Sequence, residues 1–169
     1  SSTSRGLGDV YKRQSNHRET DSILGSFDCR SQNLMPEGRV EVHRDVIERI
    51  CKDDSGGKII DNIITLKTDD KWLRGACEGL AGGSPLAALW IHKQLVSSVN
   101  YSLKKVFQSE LQLATNIMRY PEFSEGVRAL LIDKDKDPKW QYPDWRSVPA
   151  NILEQFFEAP WEQNPLVDL

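Results

Sequence analysis

The chain has 169 residues, with 22 basic and 25 acidic side chains and a formal charge of -3. One core at that length buries roughly 70% of the unfolded surface, so no second domain is required. The near balance of charge offers no basic face to a polyanion, no apolar run reaches the roughly 20 residues that span a bilayer, and no signal segment opens the chain. Nucleic acid and membrane therefore drop out as expected partners, and a cytoplasmic protein is expected.

The first fourteen residues, SSTSRGLGDVYKRQ, carry neither a helical nor a strand period. Their last six, DVYKRQ, are similar to a translated transposon-derived sequencing adapter, so 1–14 is set apart as a non-native segment. From Leu34 onward, amphipathic helices follow one another between clear breakers. After Pro36, Val42, Val46, Ile47 and Ile50 recur at helical spacing, and the pattern stops at the run Asp53 to Gly57. Ile59, Ile60, Ile63 and Ile64 fall on one stripe of a helix and would scatter over both faces of a strand, so helix is preferred despite their β-branching.

From about Asp69, Trp72, Leu73, Ala76, Cys77 and Leu80 share a face, with Gly82 and Gly83 expected to supply a left-handed cap. Ser84-Pro85 is a helix start: the hydroxyl caps, and proline lacks only an N–H that would be orphaned there. The strongest pattern runs from about Ser102 to Met118, where Leu103, Val106, Phe107, Leu111, Ala114, Ile117 and Met118 line one stripe. Lys104, Gln108, Gln112 and Asn116 lie outside it. Glu110 interrupts it, and a carboxylate there needs a cation, a hydrogen-bond donor or a place at the stripe's edge; a structural role is expected. A short helix is expected over 122–132 and another over 149–158, with a tail rich in proline and tryptophan. No run alternates with period two for long enough to build a sheet, so the chain is expected to be all-α.

The motifs that suggest chemistry are weak. Asp133, Asp135 and Asp137 match the first, third and fifth positions of a calcium loop, but Pro138 stands where that loop needs glycine. His43-Arg44-Asp45 lacks the asparagine that a kinase catalytic loop carries further on, and the glycines at 79, 82 and 83 have no strand before them and no lysine after. Cys29, Cys51 and Cys77 are far apart and contain no C-x-x-C pair, so reduced, mostly buried thiols are expected, and no metal site is indicated. Gly126 is expected to permit close approach to another element.

The stretch from Leu103 to Trp140, above all EGVRALLIDKDKDPKW with Met118-Arg119 and Phe123 before it, closely resembles the C-terminal region of the 3-hydroxyisobutyryl-CoA hydrolases. These are a branch of the enoyl-CoA hydratase, or crotonase, superfamily. Ser84-Pro85, the helix bearing Glu110, and Met35-Pro36 leading to His43-Arg44 extend the likeness over about 34–140. The resemblance implies the helical C-terminal portion of a crotonase-like α/β protein whose β/α core is missing. It divides the chain into 15–33, irregular or partly helical and continuing from that core, a helical region over 34–140, and a tail over 141–169.

It also implies cleavage of a CoA thioester, with 3-hydroxyisobutyryl-CoA as substrate in valine breakdown and no cofactor beyond that substrate. In such a reaction two backbone N–H groups hold the carbonyl oxygen and acidic side chains move the proton. Those parts belong to the upstream core, so no catalytic residue is assigned here. Glu110, Glu125 and Gly126 are given structural roles. Lys134 and Lys136 are candidates for the CoA phosphates. The implied partners are the acyl-CoA, the core of the same protein and, through subunit packing, a further copy; a eukaryotic source would place the protein in the mitochondrial matrix. An enoyl-CoA hydratase or isomerase of other specificity, or a non-enzymatic helical interaction module, are the alternatives. The 169-residue chain alone is expected to be inactive and to expose an apolar patch.

Overall fold

The computed structural model describes residues 17–31 and 34–168. The segment 1–14 lies outside them. Contacts divide the chain after Arg44 into two units. Among the described residues the secondary structure is helical throughout, with no strand.

The first unit holds α1 (His17–Ser31) and the single turn α2 (Arg39–Val42). Ile23, Leu24 and Phe27 of α1 stand exposed. Arg44 closes the unit with a two-pronged hydrogen bond to Glu41, at 3.0 Å from Nε and 2.6 Å from Nη2. The single helix expected after Pro36 is broken at His43, whose φ of -105° and ψ of 13° leave the helical range.

The second unit begins within α3 (Arg44–Ile50) and continues through α4 (Gly56–Ile64), α5 (Lys71–Gly82), α6 (Pro85–Ser98), α7 (Leu103–Met118), α8 (Pro121–Val127) and α9 (Ala150–Gln155). The isoleucine stripe does form a helix. Asp70 caps α5 through 2.9 Å bonds from the N–H groups of Trp72 and Leu73, and Ser84 caps α6 through a 3.0 Å bond from Ala87 N. Both helices begin where the sequence pattern placed them.

The expected left-handed glycine cap after α5 is corrected. Gly83 is extended, with φ -78° and ψ 172°, and no described glycine has positive φ. A Cβ at Gly83 would lie 3.2 Å from the Gly79 carbonyl, so close approach explains the residue better than handedness does. Gly57 makes the same point more forcefully: a Cβ there would meet Trp145 ring carbons at 2.5 Å. Trp145 is fixed against α4 by its indole N–H, which donates to Asp61 at 2.9 Å, while Arg146 also binds Asp61 and stacks on the indole.

The centre of this unit is Leu86, Leu113 and Phe156, with Trp90, Ile117 and Tyr142 packed around them. α7 turns Leu113 inward, whereas Leu103, Phe107, Ala114 and Met118 of the expected apolar stripe are exposed. Its polar row is engaged by the tail. Lys104 donates to Val167 O at 2.7 Å, Gln108 to Leu166 O at 2.9 Å, Gln112 to Phe157 O, and Asn116 to the carbonyls of Phe156 and Glu158 at 2.9 Å each. Residues four apart on a helix stack along one side, so this row meets the tail along the helix's whole length. Cys77 is buried, while Cys29 and Cys51 are exposed, which corrects the expectation for those two thiols.

Candidate functional site

An apolar cavity of about 650 Å³ opens in the second unit, between the α5–α6 turn and α8. Its walls include Gly82, Trp90, Tyr120, Leu130, Lys136 and Trp140. Trp140 is placed there by its indole N–H, which donates to Gly82 O at 3.0 Å, and by Gly126, where a Cβ would touch the ring at 3.4 Å.

One buried carboxylate faces this space. Glu122 opens α8, accepts from the Ser84 hydroxyl through Oε2, and accepts from Gln141 N at 3.1 Å through Oε1. The Ser84 oxygen meanwhile caps α6. Together they join the start of α6, the start of α8 and the segment of tail after Trp140. Both carboxylate oxygens are thereby hydrogen-bonded, as burial of a polar group demands. Beside it, the Tyr120 and Tyr142 hydroxyls share a 3.2 Å hydrogen bond. Burial, reinforced by the Tyr142 contact, pushes the Tyr120 phenol up to about 12.

α8 runs into a π-helical turn, Arg128–Ile132, closed by a 2.8 Å bond from Asp133 N to Arg128 O. The Asp-Lys run then wraps back on Arg128. The guanidinium donates to Glu125 at 2.9 and 2.8 Å, to Asp133 and Asp135 at 2.6 Å each, and to the Asp137 carbonyl at 3.2 Å. Lys139 N also donates to Glu125, at 2.6 Å. Arg128 first, then the Lys139 N–H, hold the Glu125 carboxyl down to about 2. Asp135 is likewise lowered, chiefly by Arg128.

Lys134 and Lys136 are exposed, both at positive φ (57° and 56°), and among the described residues neither pairs with a carboxylate. Lys136 reaches the cavity wall and Lys134 does not line it. Glu110 is exposed on α7, and Glu125 is half-buried at the Arg128 hub. Gly126 lies under Trp140. The structure therefore gathers Glu125, Gly126, Lys134 and Lys136 into one segment and leaves Glu110 elsewhere. Sequence reasoning missed Arg128 and Glu122. Arg128 had one legible signal, its spacing of three from Glu125 on a helix; Glu122, a buried acid in a first helical turn, had none. Among the described residues no cluster of His, Cys, Asp or Glu is arranged to hold a metal.

Residues 4–157 match the sequence pattern of the family described as Enoyl-CoA hydratase/isomerase. The mitochondrial 3-hydroxyisobutyryl-CoA hydrolase of Dictyostelium discoideum is 30% identical over 113 residues, covering 66% of this chain and 29% of that protein. The corresponding protein of Danio rerio is 33% identical over 114 residues, covering 68% of this chain and 28% of its own length. The chain thus matches less than a third of the length of these relatives. Among solved structures, an enoyl-CoA hydratase from Rhodobacter sphaeroides 2.4.1 superposes with a TM-score of 0.64 at 25% identity, covering 75% of this chain and 37% of that one.

Proposed function

This chain belongs to the enoyl-CoA hydratase/isomerase family, and on that footing we propose that it is the helical C-terminal portion of an acyl-CoA thioester hydrolase acting on 3-hydroxyisobutyryl-CoA. What supports the reading is the segment Glu125 to Trp140. It is the stretch by which the chain resembles the hydrolases, and it folds into a self-contained unit around Arg128 beside an apolar cavity. In the proposed reaction, water adds to the thioester carbonyl and CoA leaves as the thiol, giving 3-hydroxyisobutyrate. The groups that bind the carbonyl oxygen and move the proton belong to a β/α core preceding the helices. This chain contributes a cover for that core, and Lys134 and Lys136 as point charges for the CoA phosphates. A place in the mitochondrial matrix fits the mitochondrial names of the hydrolase relatives, and no described helix is long and apolar enough to cross a membrane.

The second reading, hydration or isomerisation of an enoyl-CoA, is favoured by the Rhodobacter sphaeroides neighbour. The two separate in one assay on the complete protein. Release of free CoA thiol from 3-hydroxyisobutyryl-CoA is expected, with none from the 169-residue chain alone. Hydration of a 2-enoyl-CoA without thiol release would sink the hydrolase assignment, and turnover by the chain alone would sink the division of labour. A complete gene with nothing encoded before these helices would favour the non-enzymatic interaction module.

A further inference from the structure

We propose that Arg128 is the positioning residue of the turn over 133–137, holding Lys134 and Lys136 in left-handed backbone conformations so that both ammonium groups stay open to an outside anion, Lys136 at the cavity wall and Lys134 outside it. The inference rests on the reading of those lysines as contacts for CoA phosphates, and it adds the group that makes them competent.

The argument begins with donors. A guanidinium carries five N–H groups in a planar fork. Arg128 makes five hydrogen bonds, one from Nε and two from each terminal nitrogen, to Glu125, Asp133, Asp135 and the Asp137 carbonyl. No other side chain could satisfy that set, because an ammonium has three donors and no fixed plane. Glu125 extends the hub to the far side of the turn through Lys139 N, and two further bonds, from Lys136 N to Ala129 O at 3.1 Å and from Asp137 N to Asp135 at 3.0 Å, lock the backbone between.

The alternation of the segment then acquires a meaning. Asp133 and Asp135 point to Arg128, and Asp137 gives its carbonyl to Arg128 and its carboxylate to Lys139. Lys134 and Lys136 lie between them at φ 57° and 56°. A turn that required only this backbone shape would be met by glycine without steric cost, yet lysine stands at both left-handed positions. Non-glycine residues in such conformations persist where surrounding contacts over-determine them, and they cluster at active sites and ligand clamps. Within the turn the acids are engaged by Arg128 and Lys139, which leaves Lys134 and Lys136 as the ammonium groups open to an outside anion.

The test uses the full chain and its variants Arg128→Gln, Arg128→Lys and the double variant K134A/K136A. Backbone couplings and Cα shifts at Lys134 and Lys136 report the sign of φ, and titration with adenosine 3′,5′-bisphosphate, the phosphate-bearing end of CoA, reports anion binding. Both Arg128 variants are expected to lose the left-handed signature while spectra remote from the turn stay unchanged. Affinity for the bisphosphate is expected to fall about tenfold in both, a change equivalent to about 1.4 kcal/mol. Loss in Arg128→Lys, which keeps the charge, assigns the effect to the fork geometry. Left-handed lysines that survive in Arg128→Lys, or an affinity that stays put while they are lost, overturn the proposal. A wild-type chain that fails to bind the bisphosphate, or K134A/K136A that binds as well, sinks the CoA-phosphate reading instead, and the couplings still decide the clamp.

Discussion

Two sides of α7 make an instructive contrast. One carries Leu103, Phe107 and Met118 and lies open; the other carries Lys104, Gln108, Gln112 and Asn116 and grips the tail of the chain. Hydrophobicity favours the first side for burial, yet the second is covered. The difference lies in what the covering segment offers. The tail around 155–168 has carbonyl groups that need partners once it lies against a helix, and amide side chains spaced four apart supply them in register. The open side meets no covering segment among the described residues, and under the proposed function it would face the preceding core.

The largest expected effect lies on the inward side between these two. Leu113, with Leu86 and Phe156, forms the centre of the second unit, so Leu113→Ala should destabilise by about 2–5 kcal/mol in denaturant unfolding. Asn116 comes next. Its amide serves two carbonyls at 2.9 Å, those of Phe156 and Glu158, and Asn116→Ala should cost about 1–3 kcal/mol. Faster amide exchange after Phe157 would show that the tail is the part released; a uniform loss across the unit would break the contrast.

Tyr120, just past the end of α7, adds a pH reading. Its phenol is raised in the folded chain from 10.0 to about 12, so the neutral form is favoured by folding. That contribution is complete below pH 10 and disappears as pH rises toward 12. Ultraviolet titration should show one tyrosine ionising near pH 12, and Tyr142→Phe, which removes the hydroxyl partner, should move it down. The smallest effect belongs to the open side: Leu103→Gln and Met118→Gln should change the stability of this chain by less than about 0.5 kcal/mol. The same changes in the complete protein should cost more, and equal costs in both would remove the argument for a docked core.

Much of the fold could be read from residue pattern. Asp70 and Ser84 act at helix starts through local chemistry, a short side chain reaching N–H groups two or three residues on. The isoleucines of α4 show their helix by spacing alone. The break at His43, the π-helical turn after Val127 and the inward choice of α7 were not legible; the last depends on partners distant in the chain, Leu86 and Phe156. The site divides likewise. EGVRALLIDKDKDPKW stood out as a segment and carried the family resemblance, but Asp133 and Asp135 read as a failed calcium loop until Arg128 appeared between them.

Local propensity and spacing, properties of neighbours, therefore determined most of the helices and the cap at Ser84, while the family was legible in the likeness of one segment, EGVRALLIDKDKDPKW. Tertiary structure alone decided that Gly57 makes room for Trp145, that Glu122 is shared between Ser84 and Gln141, and that the polar row of α7 holds the tail. Each of these joins groups tens of residues apart, where steric fit and the pairing of buried polar atoms are satisfied only once the chain has closed on itself.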